Sequence, residues 1–152
     1  MTKITRRNFG LLAGVSLTAI GMPILAGPAF AQAKPRVVVI GGGPGGATAA
    51  RYIAKDSNGA VDVTLIEPLK EFTTCFFSNL YVGGFRSFES ITHNYDNVAK
   101  AGVKMVHSMA ASIDRDKKEV VLAGGERIPY DRLLVAPGID LKYDSVPGYS
   151  EE

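Results

Sequence analysis

Apolar positions fall in short blocks whose spacing changes along the chain. Arg36-Val-Val-Val-Ile40 is nearly continuous in apolar residues, and Val61-Asp-Val-Thr-Leu-Ile66 alternates at its start; both have the length of strands. Between them, from Pro44 to Lys55, small residues follow a proline placed near the start, where its missing N–H costs little, and this predicts a helix. After Glu67-Pro68 the periodicity fails, and Leu69 to Ser90 reads as a long irregular excursion. Tyr95 to Ala101 predicts a short helix stopped by Gly102, followed by a strand from Val103 to His107. Ala110 to Asp114, Glu119 to Leu122 and Arg127 to Pro129, separated by charged or Gly-Gly turns, predict a small antiparallel meander. Arg132 to Val135 predicts a returning strand whose apolar run suits a central parallel position, ending in the tight turn Ala136-Pro137-Gly138. The order of elements predicts an α/β, doubly wound, Rossmann-like domain with a small antiparallel β insertion.

The first strand runs directly into Gly41-Gly-Gly-Pro-Gly-Gly46, which has the spacing G-x-G-x-x-G. Gly41 permits a sharp turn off the strand, Gly43 removes the Cβ that would hold a pyrophosphate away from the main chain, and Gly46 lets the helix lie close to the sheet. Pro44 and Gly45 open the helix, whose free N–H groups and positive dipole end suit an anion. Glu67 follows the second strand, about 20 residues beyond Gly46, where a carboxylate can accept hydrogen bonds from both ribose hydroxyls. Its charge disfavours a 2′-phosphate, which suits FAD or NAD without separating the two. Glycine-rich turns alone are weak evidence. A plain βαβ crossover with a solvated Glu67 is the competing reading, and the ordered conjunction of strand, glycines, small-residue helix, strand and acid counts against it.

The first residues are of a different kind. Thr5-Arg6-Arg7-Asn8-Phe9-Gly10-Leu11 is a twin-arginine pattern, followed by an uncharged apolar stretch and the small-residue signal Ala29-Phe-Ala31. Residues 1–31 therefore read as a Tat-type signal peptide, with Gly10 where such leaders commonly carry leucine, and the mature protein is expected in the periplasm. A retained membrane anchor is the alternative, but Gly14, Gly21, Pro23, Gly27 and Pro28 make a poor membrane helix, so the mature protein is expected not to span the membrane. The Tat export machinery carries folded proteins, which suits a tightly held redox cofactor. The whole chain has 17 basic and 15 acidic residues; without Lys3, Arg6 and Arg7 the basic excess disappears. No basic patch with interleaved aromatics remains, and no nucleic-acid partner is expected. Residues 34–152 are expected to be the N-terminal FAD/NAD(P)-binding domain, in part, of a longer protein, incomplete at its C-terminus.

The excursion carries Phe72, Phe76, Phe77, Tyr81, Phe85 and Phe88, which suit either a local aromatic cluster under a loop or a wall around a flat cofactor. Cys75 is the single cysteine. In an exported protein an unpaired thiol invites explanation: a thiolate beside a flavin can attack the 8α-methyl position to form a thioether, whereas a buried inert thiol or a partner for a later cysteine are the alternatives. His93 and His107 have no cysteine or carboxylate at ligand spacing, and no metal site is expected.

The glycine turn with Ala47-Thr-Ala-Ala-Arg-Tyr-Ile53, Val63-Thr-Leu-Ile-Glu-Pro68, Thr74-Cys-Phe-Phe-Ser-Asn79, Val82-Gly-Gly84, Glu89-Ser-Ile91 and Tyr130-Asp-Arg-Leu-Leu-Val-Ala-Pro-Gly-Ile139 together resemble the flavoprotein subunits of flavocytochrome c sulfide dehydrogenases. The resemblance covers nearly all of the mature chain, and the Thr-Cys segment is its most specific part. It implies a two-dinucleotide-binding flavoprotein that oxidises sulfide to sulfur or polysulfide and passes electrons through FAD to a c-type cytochrome subunit. It implies also that Cys75 carries the flavin covalently. The cofactor-binding set is expected to comprise Gly41, Gly43, Pro44, Gly45, Gly46, Glu67, Thr74, Cys75, Ala110, Ala136, Pro137 and Gly138. The family's redox-active cysteine pair has no counterpart among these residues, so no catalytic residue is assignable. No Cys-x-x-Cys-His occurs, so the resemblance places haem c on the partner.

Two rival classes remain open. One is a sulfide:quinone oxidoreductase or another pyridine nucleotide-disulfide-type flavoprotein, though an exported protein meets little NADH. The other is a non-catalytic nucleotide-binding module, should the chain end at Glu152.

Overall fold

The computed structural model describes residues 33–150 apart from 141 and 144; the leader expected at residues 1–31 lies outside the described residues. In chain order the elements are β1 (Arg36–Ile40), α1 (Pro44–Asp56), β2 (Asp62–Ile66), β3 (Glu71–Thr73), α2 (Ser78–Val82), a 3-10 turn (Glu89–Ile91), β4 (Thr92–Asn94), α3 (Asp96–Lys100), β5 (Val103–Val106), β6 (Ala110–Asp114), β7 (Glu119–Leu122), β8 (Arg127–Pro129) and β9 (Arg132–Val135).

The central sheet is four-stranded and parallel, in the order β5-β2-β1-β9. A parallel sheet is covered on both faces, which is why β1 is apolar at consecutive positions rather than alternate ones. Val39, Val63 and Leu65 point to one face, where they pack against Ala50 and Ala54 of α1 and Val98 of α3. Val38 and Ile66 point to the other, against Val120, Leu122 and Tyr130 of the meander and its exit. On α1 the buried residues are Gly46, Ala50 and Ala54, four apart. That spacing aligns three small residues along one stripe and brings the helix axis close to the sheet.

β6, β7 and β8 form the expected antiparallel meander, with a register shift between Ala110 and Ser112. The architecture is thus a mixed α/β Rossmann-like fold with a parallel core and small antiparallel insertions. Among the described residues no helix is long and apolar enough to cross a membrane.

Two expectations need correction, and one open alternative is decided. β9 was expected at a central position, but among the described residues it is an edge strand, pairing with β1 alone, and its Val135 is 53% exposed. A run of apolar residues reports burial on two faces and says nothing of how many neighbours a strand has. The excursion is also more ordered than its composition suggests. β3, near its start, pairs antiparallel with β4, just beyond its end, with Thr73 opposite Thr92, and α2 and the 3-10 turn lie between them. Three-residue strands are too short to leave a periodic trace. The aromatics of the excursion do not form a buried cluster: Phe76 is 62% and Phe85 82% exposed, and Tyr81 meets Phe88 edge-on at 5.4 Å between ring centroids.

Candidate functional site: a groove at the strand ends

The carboxyl ends of β1, β2 and β9 are level because Ile40 lies opposite both Ile66 and Val135. Each chain leaves its strand at the same height, so Gly41, Glu67 and Ala136 meet at one edge, the position where open α/β sheets bind ligands. Backbone bonds hold the three exits together: Gly41 N–H donates to Ile66 O at 2.9 Å, Ala136 N–H to Ile40 O at 2.8 Å, and Glu67 N–H to Val106 O at 2.9 Å.

At two places in the turn, neighbouring backbone leaves no room for a Cβ. Gly41 has φ +99°, and a Cβ on it would collide with the Ala136 carbonyl. A Cβ on Gly46 would collide with the Gly41 carbonyl. Gly43 caps α1 in an extended conformation, Pro44 follows, and the first intrahelical bond is from Ala47 N–H to Gly43 O at 2.9 Å. The N–H groups of Gly43, Gly45 and Gly46 therefore precede the helical ladder and have no acceptor within it. No acidic side chain stands in the first turn to neutralise the dipole, and Lys55 stands in the last.

Glu67 is fixed by main-chain donors. Its Oε2 accepts from Gly42 N–H at 2.7 Å and its Oε1 from Leu69 N–H at 2.9 Å. Each carboxylate oxygen has two lone-pair sites, so one acceptor site remains on each, the number a ribose diol needs. His107 secures the same turn from behind. Its Nδ1 lies 3.2 Å from Glu67 O and 3.1 Å from Leu69 O, two acceptors that require a proton on that nitrogen.

A groove of about 450 Å³ runs along this edge, and Gly41, Gly43, Pro44, Glu67, Cys75, Ala136, Pro137 and Gly138 line it together with Phe72 and Ile139. Eight of the expected cofactor-binding residues thus share one surface. The other four do not line it. Gly45 faces open space at the helix start, and Gly46 is buried beneath Gly41. Thr74 lines a neighbouring groove of about 420 Å³ with Phe76, Phe77, Arg86 and His93. Ala110 opens β6 opposite Leu122 and packs on the Val38 side of the sheet.

Cys75 is exposed, which removes the buried inert thiol from the alternatives. Phe76 and Phe77, which follow it, flank the second groove, and Phe77 holds φ +66° with the Arg86 guanidinium 4.5 Å from its ring centroid. The two grooves share Pro44 and Phe72.

Sequence reasoning missed Tyr95. It precedes α3, is buried, and donates its hydroxyl to Gly42 O at 3.1 Å. Burial, aided by the negative charge of Glu67, pushes its phenol up to about 12, so the hydroxyl keeps its proton and remains a donor. Nothing in the local pattern around Tyr95 distinguishes it from an aromatic core residue.

The groove fits an adenine dinucleotide: N–H groups without an intrahelical acceptor at a helix start, a diol-matched carboxylate, and Gly43, whose missing side chain leaves the groove open beside the helix start, an added Cβ there meeting only Phe72 Cε2 at 3.9 Å. Comparison with known proteins shows the family. A solved sulfide:quinone oxidoreductase from Aquifex aeolicus superposes with a TM-score of 0.64 at 32% identity, over 72% of this chain and 25% of that one. The mitochondrial sulfide:quinone oxidoreductase of Mus musculus is 29% identical over 115 residues, 76% of this chain and 25% of that protein. The flavoprotein chain of a sulfide dehydrogenase (flavocytochrome c) from Chlorobaculum thiosulfatiphilum is 54% identical over 44 residues, 29% of this chain and 90% of that sequence. The chain spans about a quarter of the length of the sulfide:quinone relatives it matches. The family described as pyridine nucleotide-disulphide oxidoreductase matches residues 35–152. The chain therefore belongs to the pyridine nucleotide-disulphide oxidoreductase family.

Proposed function

We propose that the protein is an FAD-dependent oxidoreductase that takes electrons from sulfide. The observation that carries this reading is the groove, which Gly43 at the α1 start, the Glu67 carboxylate with one acceptor site on each oxygen, and the exposed Cys75 line together. The α1 start would hold the pyrophosphate and Glu67 the adenosine ribose, while Ala136-Pro137-Gly138 would let the backbone pass close alongside. FAD, when bound, supplies a two-electron acceptor that takes hydrosulfide to zero-valent sulfur and releases the electrons to a second acceptor.

Two acceptors are supported by different observations. The long alignments with sulfide:quinone oxidoreductases favour a quinone, and they weigh more than the resemblance that implies a cytochrome c acceptor. The cytochrome c reading keeps one observation of its own, the higher identity to a flavocytochrome c flavoprotein over a shorter stretch. On that second reading Cys75 would hold the flavin through a thioether to its 8α-methyl group, the thiol and the methyl each giving up a proton and the electron acceptor taking up the two electrons released. Twin-arginine export to the periplasm belongs to the same reading, with haem c on the partner.

The test is anaerobic addition of sulfide to the full-length protein. Bleaching of its flavin absorbance is expected, followed by reoxidation on adding either a short-chain quinone or oxidised cytochrome c. The acceptor that restores colour within turnover time decides between the two readings, and a flavin that sulfide leaves oxidised overturns both.

A further inference from the structure

We infer that Tyr95 is a positioning residue that fixes the Gly42–Gly43 peptide so that its N–H, not its carbonyl, faces the pyrophosphate. The inference rests on the FAD reading above and adds a residue that the glycine fingerprint does not contain.

The peptide between Gly42 and Gly43 joins two residues without Cβ, so its plane can rotate through about half a turn at small cost. One orientation offers an N–H to the groove and the other a carbonyl oxygen, which an anion would repel. The structure shows what selects between them. Tyr95 Oη donates to Gly42 O at 3.1 Å, and there is no cis peptide bond among the described residues. In a planar trans peptide the C=O and N–H point in opposite directions. With the carbonyl held on Tyr95, the Gly43 N–H is turned the other way, toward the groove that Gly43 lines. The preceding N–H of Gly42 is held by Glu67 Oε2 at 2.7 Å, so Gly42 is fixed on both sides.

This arrangement also explains why glycine stands at the second position of the turn, which the G-x-G-x-x-G spacing leaves free. A Cβ on Gly42 would lie 2.5 Å from Tyr95 Oη and 2.7 Å from Glu67 Cγ. Tyr95 occupies the space a side chain would need, so the two positions are coupled across 53 residues of sequence.

The test uses the full-length protein carrying Cys75→Ser, so that flavin exchanges reversibly, with and without Tyr95→Phe. The phenyl ring keeps the packing and removes the one hydroxyl. Titration of the flavin-free proteins with FAD is expected to show binding weakened about five- to tenfold by Tyr95→Phe, with displaced ³¹P resonances for the bound pyrophosphate. In the parent labelled with ¹⁵N-glycine, the Gly43 amide proton is expected to move downfield when FAD is added. Equal affinity with superimposable ³¹P spectra overturns the role of Tyr95 while leaving the FAD site in place. A lowered melting temperature with affinity and ³¹P spectrum unchanged assigns Tyr95 to packing alone and overturns it too, as does a Gly43 amide that FAD leaves unmoved. A parent that binds no FAD removes the FAD reading itself, and with it the inference.

Discussion

Arg36 and Asp131 close the start of β1 against the start of β9. Arg36 Nε and Nη2 donate to the two carboxylate oxygens at 3.1 and 3.0 Å, the Arg36 backbone N–H donates to Asp131 Oδ2 at 2.7 Å, and Asp131 N–H returns to Arg36 O at 2.9 Å. The pair sits at the end of the sheet opposite the groove, so it registers the two strands without touching the site.

These bonds, the side-chain ones first, hold the Asp131 carboxyl at about 2, below its ordinary value of 3.8. A depressed carboxyl favours the folded state above its unfolded value, and the benefit is lost as pH falls through the folded value. The protein is therefore expected to lose stability between about pH 4 and pH 2 in part through this group. Thermal melts of Asp131→Asn should start lower at neutral pH and fall less steeply over that window. Parallel acid profiles for the two proteins would show that the pair does not contribute.

Gly45 and Gly46 are neighbours with opposite demands. A Cβ on Gly46 runs into the Gly41 carbonyl, whereas one on Gly45 meets nothing within 4 Å. Gly46→Ala is expected to destabilise the fold by roughly 1–3 kcal/mol. Gly45→Ala should be neutral or stabilising by up to about 1 kcal/mol. Chemical denaturation of the two variants measures the contrast.

Gly43 separates fold from binding. Its backbone is at φ −63°, and an added Cβ would find only Phe72 Cε2, at 3.9 Å. Gly43→Val is therefore expected to melt within a few degrees of the parent yet lose flavin, because the side chain enters the space of the pyrophosphate. Flavin content per folded chain, read from the visible spectrum, checks this, and full occupancy would rule out the proposed placement.

Cys75→Ser is expected to leave flavin bound but extractable by acid, if the exposed thiol forms the proposed thioether. The readout is flavin fluorescence on a denaturing gel, present in the parent and absent from the variant. Parent flavin that acid releases freely would favour the quinone reading, in which no such bond is required.

Much of the fold was legible in the sequence, and the reason is local. β1 and the meander strands β6, β7 and β8 fall at the residues their patterns predicted, since strand length, apolar runs and Gly-Gly turns are encoded within a few residues. The same holds for the start of α1 at Pro44 and for Glu67 at the exit of β2. The excursion between Leu69 and Ser90 was not legible, because β3 and β4 are three residues each and exist only by pairing with one another. The edge position of β9 was not legible either, since its neighbours are chosen elsewhere in the chain.

The site divides along the same line. Gly41, Gly43, Gly46 and Glu67 could be named from spacing alone, because each answers a constraint set by the turn or the strand end beside it. The tertiary structure decided that Cys75 is exposed on the same groove, that Thr74 and Ala110 lie off it, and that Tyr95 reaches Gly42. Those are contacts between segments far apart in sequence. They depend on how helices and strands stack, and a periodic pattern records which face of an element is buried without recording what it is buried against.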